Sequence, residues 1–154
     1  MATTCLTKMK NDTLILALGS NLGDRENFIE RAESLLSEHF GPVSARSGII
    51  ETEAVGFDGP PFLNCILAFD GVRREPLEIL SLCKETERRL GRTDSPEYDA
   101  GGCRIYRSRC IDIDIIYYGD RLVDTPKLTI PHPGIRSREY LRELLGRLSR
   151  EINY

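Results

Sequence analysis

CRIYRSRCIDIDIIYYGD, residues 103–120, holds an apolar strand that carries two aspartates, with arginines just before it. Alternation along a strand puts Ile111, Ile113 and Ile115 on one face and Asp112 and Asp114 on the other. Two residues of strand rise separate the aspartates by roughly 6–7 Å. That spacing is wide for one compact oxygen pair and suits two carboxylates reaching around divalent cations. Like charges on one face repel, so a cation belongs between them. Magnesium is the hard cation that carboxylates and phosphate oxygens share. Arg104, Arg107 and Arg109 lie directly upstream, and Arg92 follows the preceding predicted helix. Arginines beside metal-binding acids are what phosphoryl transfer uses, because metal and guanidinium share the charge on the moving group. The alternative is an acidic solvent face next to a charged loop. D-I-D-I by itself is a common spacing, and the arginines are what favour the metal-assisted reading.

Working outward, TLILAL (13–18) reads as a buried strand, and GSNLGDR after it as a turn. Phe28, Ile29, Ala32, Leu35 and Leu36 then repeat at helical spacing, with Asp24 as N-cap and Gly41-Pro42 as stop. VSARSGIIET is a second strand and FLNCILAF a third. In the third, Leu63, Cys65, Leu67 and Phe69 share one face and Phe62, Asn64, Ile66 and Ala68 the other. A second helix spans about Glu75 to Leu90, with Pro76 in its first turn and Gly91 at its end. RTDSPEYDAGGCRIYRSR reads as a mobile polar loop, GDRLVD as a short extra strand and PKLTIPHPG as a loop. A last helix runs from about Ser137 to Arg150, with Leu141, Leu144, Leu145 and Leu148 aligned. The order strand, helix, strand, strand, helix, strand predicts a ferredoxin-like α+β sandwich: a mainly antiparallel sheet with a βαββαβ core plus a C-terminal helix. One sheet face is expected to take the helices and the other to stay open for a site.

The chain has 154 residues, 40% hydrophobic and 29% charged, with a net charge of -3. This predicts one domain over 12–154 and a flexible leader over 1–11. The charge balance argues against nucleic acid as partner. No stretch approaches about 20 apolar residues, which argues against a membrane span. Five cysteines without a C-x-x-C pair point to free thiols in a reducing compartment, and so to the cytoplasm. No Walker loop or dinucleotide fingerprint occurs, so side chains and loops would have to hold any nucleotide. A monomer is expected, since no surplus apolar face remains once three helices are packed. Residue pattern alone leaves open a magnesium-dependent phosphoryl transferase with some other acceptor, and a non-catalytic ferredoxin-like ligand-binding domain.

Five motifs in order carry a resemblance: ALGSNLGDR (17–25), FLN (62–64), E-x-x-L-G-R (87–92), R-x-I-D-I-D-I (109–115) and T-I-P-H-P (129–133). Together they resemble the 6-hydroxymethyl-7,8-dihydropterin pyrophosphokinase family of folate biosynthesis. The resemblance implies an ATP-dependent diphosphotransferase with two Mg2+ ions, making the pterin diphosphate and AMP. It implies Asp112 and Asp114 as the metal ligands, with Arg92 and Arg109 beside them as catalytic groups. For the nucleotide it implies Glu87, Arg92, Arg109, Ile113, His132 and Arg138. For the pterin it implies Thr52, Glu53, Phe62, Asn64, Asp112 and Tyr140, with Asn64 reading the amide-like edge of the ring. Tyr106 stands where the family often has tryptophan, and the loop over 93–104 is acidic where relatives are basic. Longer relatives continue past the position of Tyr154.

Overall fold

The computed structural model describes residues 12–54, 58–92, 97–98, 100–102, 104–105 and 110–152. The expected leader, half of the acidic loop over 93–104, and Tyr106, Arg107 and Arg109 lie outside the described residues. The elements are β1 (Leu14–Ser20), α1 (Arg25–Phe40), β2 (Val43–Arg46), β3 (Ile50–Thr52), β4 (Phe62–Phe69) and α2 (Pro76–Arg89). They continue with β5 (Glu97–Tyr98), β6 (Arg104–Ile105), β7 (Asp112–Tyr118), β8 (Val123–Asp124), β9 (Thr129–Ile130), α3 (Gly134–Ser137) and α4 (Glu139–Ile152).

The main sheet runs β2-β4-β1-β7, with β3 also on β4, and every pairing is antiparallel. Taken as one broken edge strand, β2 and β3 complete the expected ferredoxin-like sandwich. The break is the one departure from a single second strand. Ser47 N donates to Ile66 O at 3.0 Å, and Ile66 N donates to Ser47 Oγ at 2.8 Å. Ile50 then sits opposite Asn64. The edge chain advances three residues while β4 advances two, a bulge at Gly48, whose φ is +80°. The extra residue changes the parity of the strand. Ala45 and Ile50 therefore face the same side, although their numbers differ by five.

The predicted helix signals act as read. Asp24 caps α1 by accepting from Asn27 N at 3.2 Å, and Gly41 closes it with a positive φ. Pro76 opens α2, where its missing N–H leaves no bond unmade. Ile29, Ala32 and Leu36 of α1 and Ile79 and Cys83 of α2 pack on one sheet face, against Leu16, Leu18, Cys65, Leu67, Ile113 and Ile115.

The other face is not free of helix, which corrects the sequence expectation. Leu141, Leu144, Leu145 and Leu148 of α4 pack there on Ile15, Ile66, Ala68 and Ile116. Four aligned leucines make an apolar stripe that must be buried somewhere, and the second face is the surface left. A bulge in β7 widens that seat. Leu16 pairs with Ile115 and Ile15 with Tyr117, so Ile116 and Tyr117 both turn toward α4. PKLTIPHPG, read as a loop, contributes β9, which pairs with β8. Among the described residues no helix is long and apolar enough to cross a membrane.

Leu144 is fully buried and Leu122 is 83% exposed. In urea denaturation, Leu144→Ala is expected to lose about 2–5 kcal/mol, and Leu122→Ala to stay within about 0.5 kcal/mol. Equal effects would contradict the seating of α4.

Candidate active site

The open end of the second face is built from three neighbouring strands. Gly19 pairs with Asn64 on one side and Asp112 on the other. Ala17 likewise stands between Ile66 and Asp114. The two small residues of β1 leave a trough between the amide of β4 and the carboxylates of β7. A Cβ on Gly19 would lie 3.1 Å from Asn64 Oδ1 and 3.5 Å from Phe62 Cδ1. Glycine is therefore what lets Asn64 lie across the floor. Asn64 is buried, and its Nδ2 donates to Thr52 Oγ1 at 2.6 Å. Thr52 in turn pairs with half-buried Phe62. Glu53 follows β3 and is exposed. Tyr140 is half-buried in the first turn of α4, and burial raises its hydroxyl pKa.

At the acidic wall, Arg92 Nη1 donates to Asp112 Oδ1 and to Glu87 Oε2, both at 2.8 Å. Glu87 Oε2 also accepts from Ile113 N at 2.8 Å, and Lys84 Nζ lies 3.5 Å from Glu87 Oε1. The Glu87 side chain is only 4% exposed. Burial raises its pKa and the Arg92 charge opposes that rise. In this structure Glu87 braces Arg92 and the β7 backbone from inside. The Ile113 side chain packs in the core beneath α1 and α2, facing away from the two acids.

Asp114 has looser company, with Arg138 Nη1 at 3.8 Å and His132 Nε2 at 3.9 Å. Burial first, and then the charge of Asp112, push its pKa up to about 7. His132 is moved the other way, by burial and then by Arg138, so it is neutral at pH 7. Gly134 N donates to His132 Nδ1 at 2.9 Å, which leaves the ring proton on Nε2, the atom facing Asp114. A side chain at position 134 would meet Nδ1 at 2.8 Å, so this bond also needs a glycine.

The fold thus gathers Thr52, Phe62, Asn64, Arg92, Asp112, Asp114, His132, Arg138 and Tyr140 around one end of one sheet face. They come from β3, β4, the end of α2, β7, the segment after β9, and the start of α4. Arg109 falls outside the described residues. Sequence reading missed Gly19, which it placed at the end of a strand as the start of a turn. Only the register across three strands shows its role. Two surface hollows lie away from this trough. One of about 760 Å³ is lined by Asp12, Arg73, Arg74, Glu75, Glu78 and Arg121, and one of about 390 Å³ by residues of α1 with Arg89.

Among the described residues no group of three or more His, Cys, Asp or Glu side chains converges on one point. Two carboxylates on one face suit a cation that takes its remaining ligands from phosphate and water, which is how magnesium is usually held.

Residues 15–150 match the 7,8-dihydro-6-hydroxymethylpterin-pyrophosphokinase (HPPK) family. The chain belongs to that family. It is 39% identical over 129 residues to the 2-amino-4-hydroxy-6-hydroxymethyldihydropteridine pyrophosphokinase of Porphyromonas gingivalis, covering 82% of this chain and 84% of the relative. The Bacillus subtilis protein of the same name is 31% identical over 144 residues, covering 92% and 81%. That of Aquifex aeolicus is 34% identical over 129 residues, covering 83% and 74%. The antiparallel sandwich and the trough are thus those of a pyrophosphokinase-family chain.

The raised pKa of Asp114 has a consequence for stability. Its folded value of about 7 exceeds the roughly 3.9 of an unfolded aspartate. Between those values the folded protein binds more protons than the unfolded chain, so stability falls as pH rises through that window. In metal-free buffer, Asp114→Asn is expected to melt with the wild type near pH 4 and increasingly above it toward pH 8. A difference in Tm that stays flat across this range would mean that Asp114 ionises without strain.

Proposed function

We propose that this chain transfers the β,γ-pyrophosphoryl group of ATP to the hydroxymethyl oxygen of 6-hydroxymethyl-7,8-dihydropterin. The observation that carries this reading is the row Asn64–Gly19–Asp112 across three strands. It sets a buried amide, suited to the donor-and-acceptor edge of a pterin, opposite a carboxylate suited to a metal-bound phosphate chain. Family membership supports pyrophosphokinase chemistry at that row.

The hydroxymethyl oxygen attacks the β-phosphorus. The bond from that phosphorus to the oxygen bridging the α-phosphate breaks, AMP leaves with the bridging oxygen, and the hydroxyl proton is released. No protein nucleophile is needed. Asp112 and Asp114 would hold two Mg2+ ions, whose chemistry is to neutralise phosphate charge and polarise the β-phosphorus. Arg92, fixed by Glu87, keeps a guanidinium beside Asp112. Arg138 and the Nε2–H of neutral His132 face Asp114 from the far side and are placed to donate to phosphate oxygens. Phe62 and Tyr140 offer rings at the pterin end, with Thr52 and Glu53 presenting backbone groups there. Arg109 is assigned to phosphate clamping by its motif.

Cys65 and Cys83 are buried free thiols whose pKa burial pushes up, Cys65 to about 12.

The test supplies ATP, magnesium and the pterin, and resolves AMP from ADP. AMP with pterin diphosphate is expected, falling by at least about 100-fold in Asp112→Ala. ADP would mean transfer of a single phosphoryl group, and pterin binding without either product would mean a ligand-binding domain. Gly19→Val is expected to weaken pterin binding by titration while ATP affinity holds. Unchanged pterin affinity would remove the trough from the reading.

A further inference from the structure

The turn between β1 and α1 reaches across to the mouth of the β3–β4 hairpin. Asn21 Nδ2 donates to Pro60 O at 3.0 Å. Arg25 Nη1 donates to Pro61 O at 2.9 Å and to Glu51 Oε2 at 2.9 Å. Glu51 precedes Thr52, Pro61 precedes Phe62, and Thr52 and Phe62 are register partners. Arg25 therefore bridges the two strands where the hairpin opens, one residue from each member of that pair.

Two features make this bridge more than a surface contact. Arg25 is the first residue of α1, where the helix dipole disfavours a cation. Helix formation gives no reason for an arginine there, whereas the cross-link does. Pro60 and Pro61 have no N–H groups of their own, so the entry to β4 cannot be tied down by its own donors. Its carbonyls have to be caught from outside, and Asn21 and Arg25 catch them in succession. Glu51 is half exposed, so the ion pair alone is weak. The Pro61 carbonyl is the partner that orders the strand entry leading to Phe62 and Asn64.

We propose that Arg25 is a positioning residue for the pterin half of the site. It holds the ends of β3 and β4 together so that Thr52, Phe62 and Asn64 meet the ligand in one fixed arrangement. This assignment rests on the pterin reading above, and the experiment separates the two.

Full-length wild type, Arg25→Ala, Arg25→Lys and Glu51→Ala are compared by amide hydrogen exchange across residues 58–64 without ligand. They are also compared by titration with 6-hydroxymethylpterin and by steady-state kinetics. Arg25→Ala is expected to speed exchange in that segment and to raise the pterin Kd and KM about tenfold. Its kcat and ATP KM are expected within about twofold of wild type, and its Tm within about 2 °C. Arg25→Lys, a single point donor in place of a fork, is expected to recover part of the loss, and Glu51→Ala to lose only about twofold. A folded Arg25→Ala with unchanged exchange and unchanged pterin affinity overturns the proposal. So does a loss spread evenly over kcat, ATP KM and Tm. Wild type without pterin affinity, with the segment still loosened by Arg25→Ala, overturns the pterin reading and leaves the clamp standing.

Discussion

Asp112 and Asp114 leave one strand in the same direction, and their repulsion has to be met from around them. Arg92 meets it at Asp112 with a direct 2.8 Å bond. At Asp114 the cation stands back, with Arg138 at 3.8 Å, and burial, with the Asp112 charge added to it, pushes that carboxyl up to about 7. Asp112 thus has a cation in direct contact, while Asp114 has Arg138 and the neutral His132 at 3.8 and 3.9 Å. The surroundings of the site serve this asymmetry. Glu87 fixes Arg92 and the β7 backbone together from beneath. The segment after β9 and the start of α4 bring His132 and Arg138 to the far side.

Keeping such a wall open requires small residues beside it. Gly19 and Ala17 pair with the two aspartates, so the strand between the acids and Asn64 contributes little bulk. The same open floor would be lost if α4 ran further along the face. Its leucine stripe is seated on Ile15, Ile66, Ala68 and Ile116, toward the other end of β1 and β4. Packing of an ordinary amphipathic helix thereby sets the extent of the trough. The division of labour follows: one sheet face is wholly structural, while the other is half core and half site.

Much of this was legible in the chain. Alternation in FLNCILAF and CIDIDIIYY separated core residues from Asn64, Asp112 and Asp114, because a strand has only two faces. Asp24, Gly41 and Pro76 marked helix ends, because caps act through bonds a few residues long. The five ordered motifs pointed to the family, and residues 15–150 match it. Less legible were the three register slips, at Ser44, at Gly48 and at Ile116. Each depends on how a strand sits against its neighbour, and nothing in VSARSGIIET or DIIYY announces the slip.

The sequence by itself determined the longer strands and helices, the sandwich class, and which side chains share a face along an unbroken strand, since these follow from local periodicity and short-range capping. Tertiary structure alone decided which sheet face α4 covers, that Gly19 lies between Asn64 and Asp112, and that Glu87 is turned inward onto Arg92. It alone brought Arg25 to the carbonyl of Pro61, 36 residues away. These are matters of register and of contacts between distant segments. No local pattern encodes them, because the partner of each group is chosen only when the sheet closes.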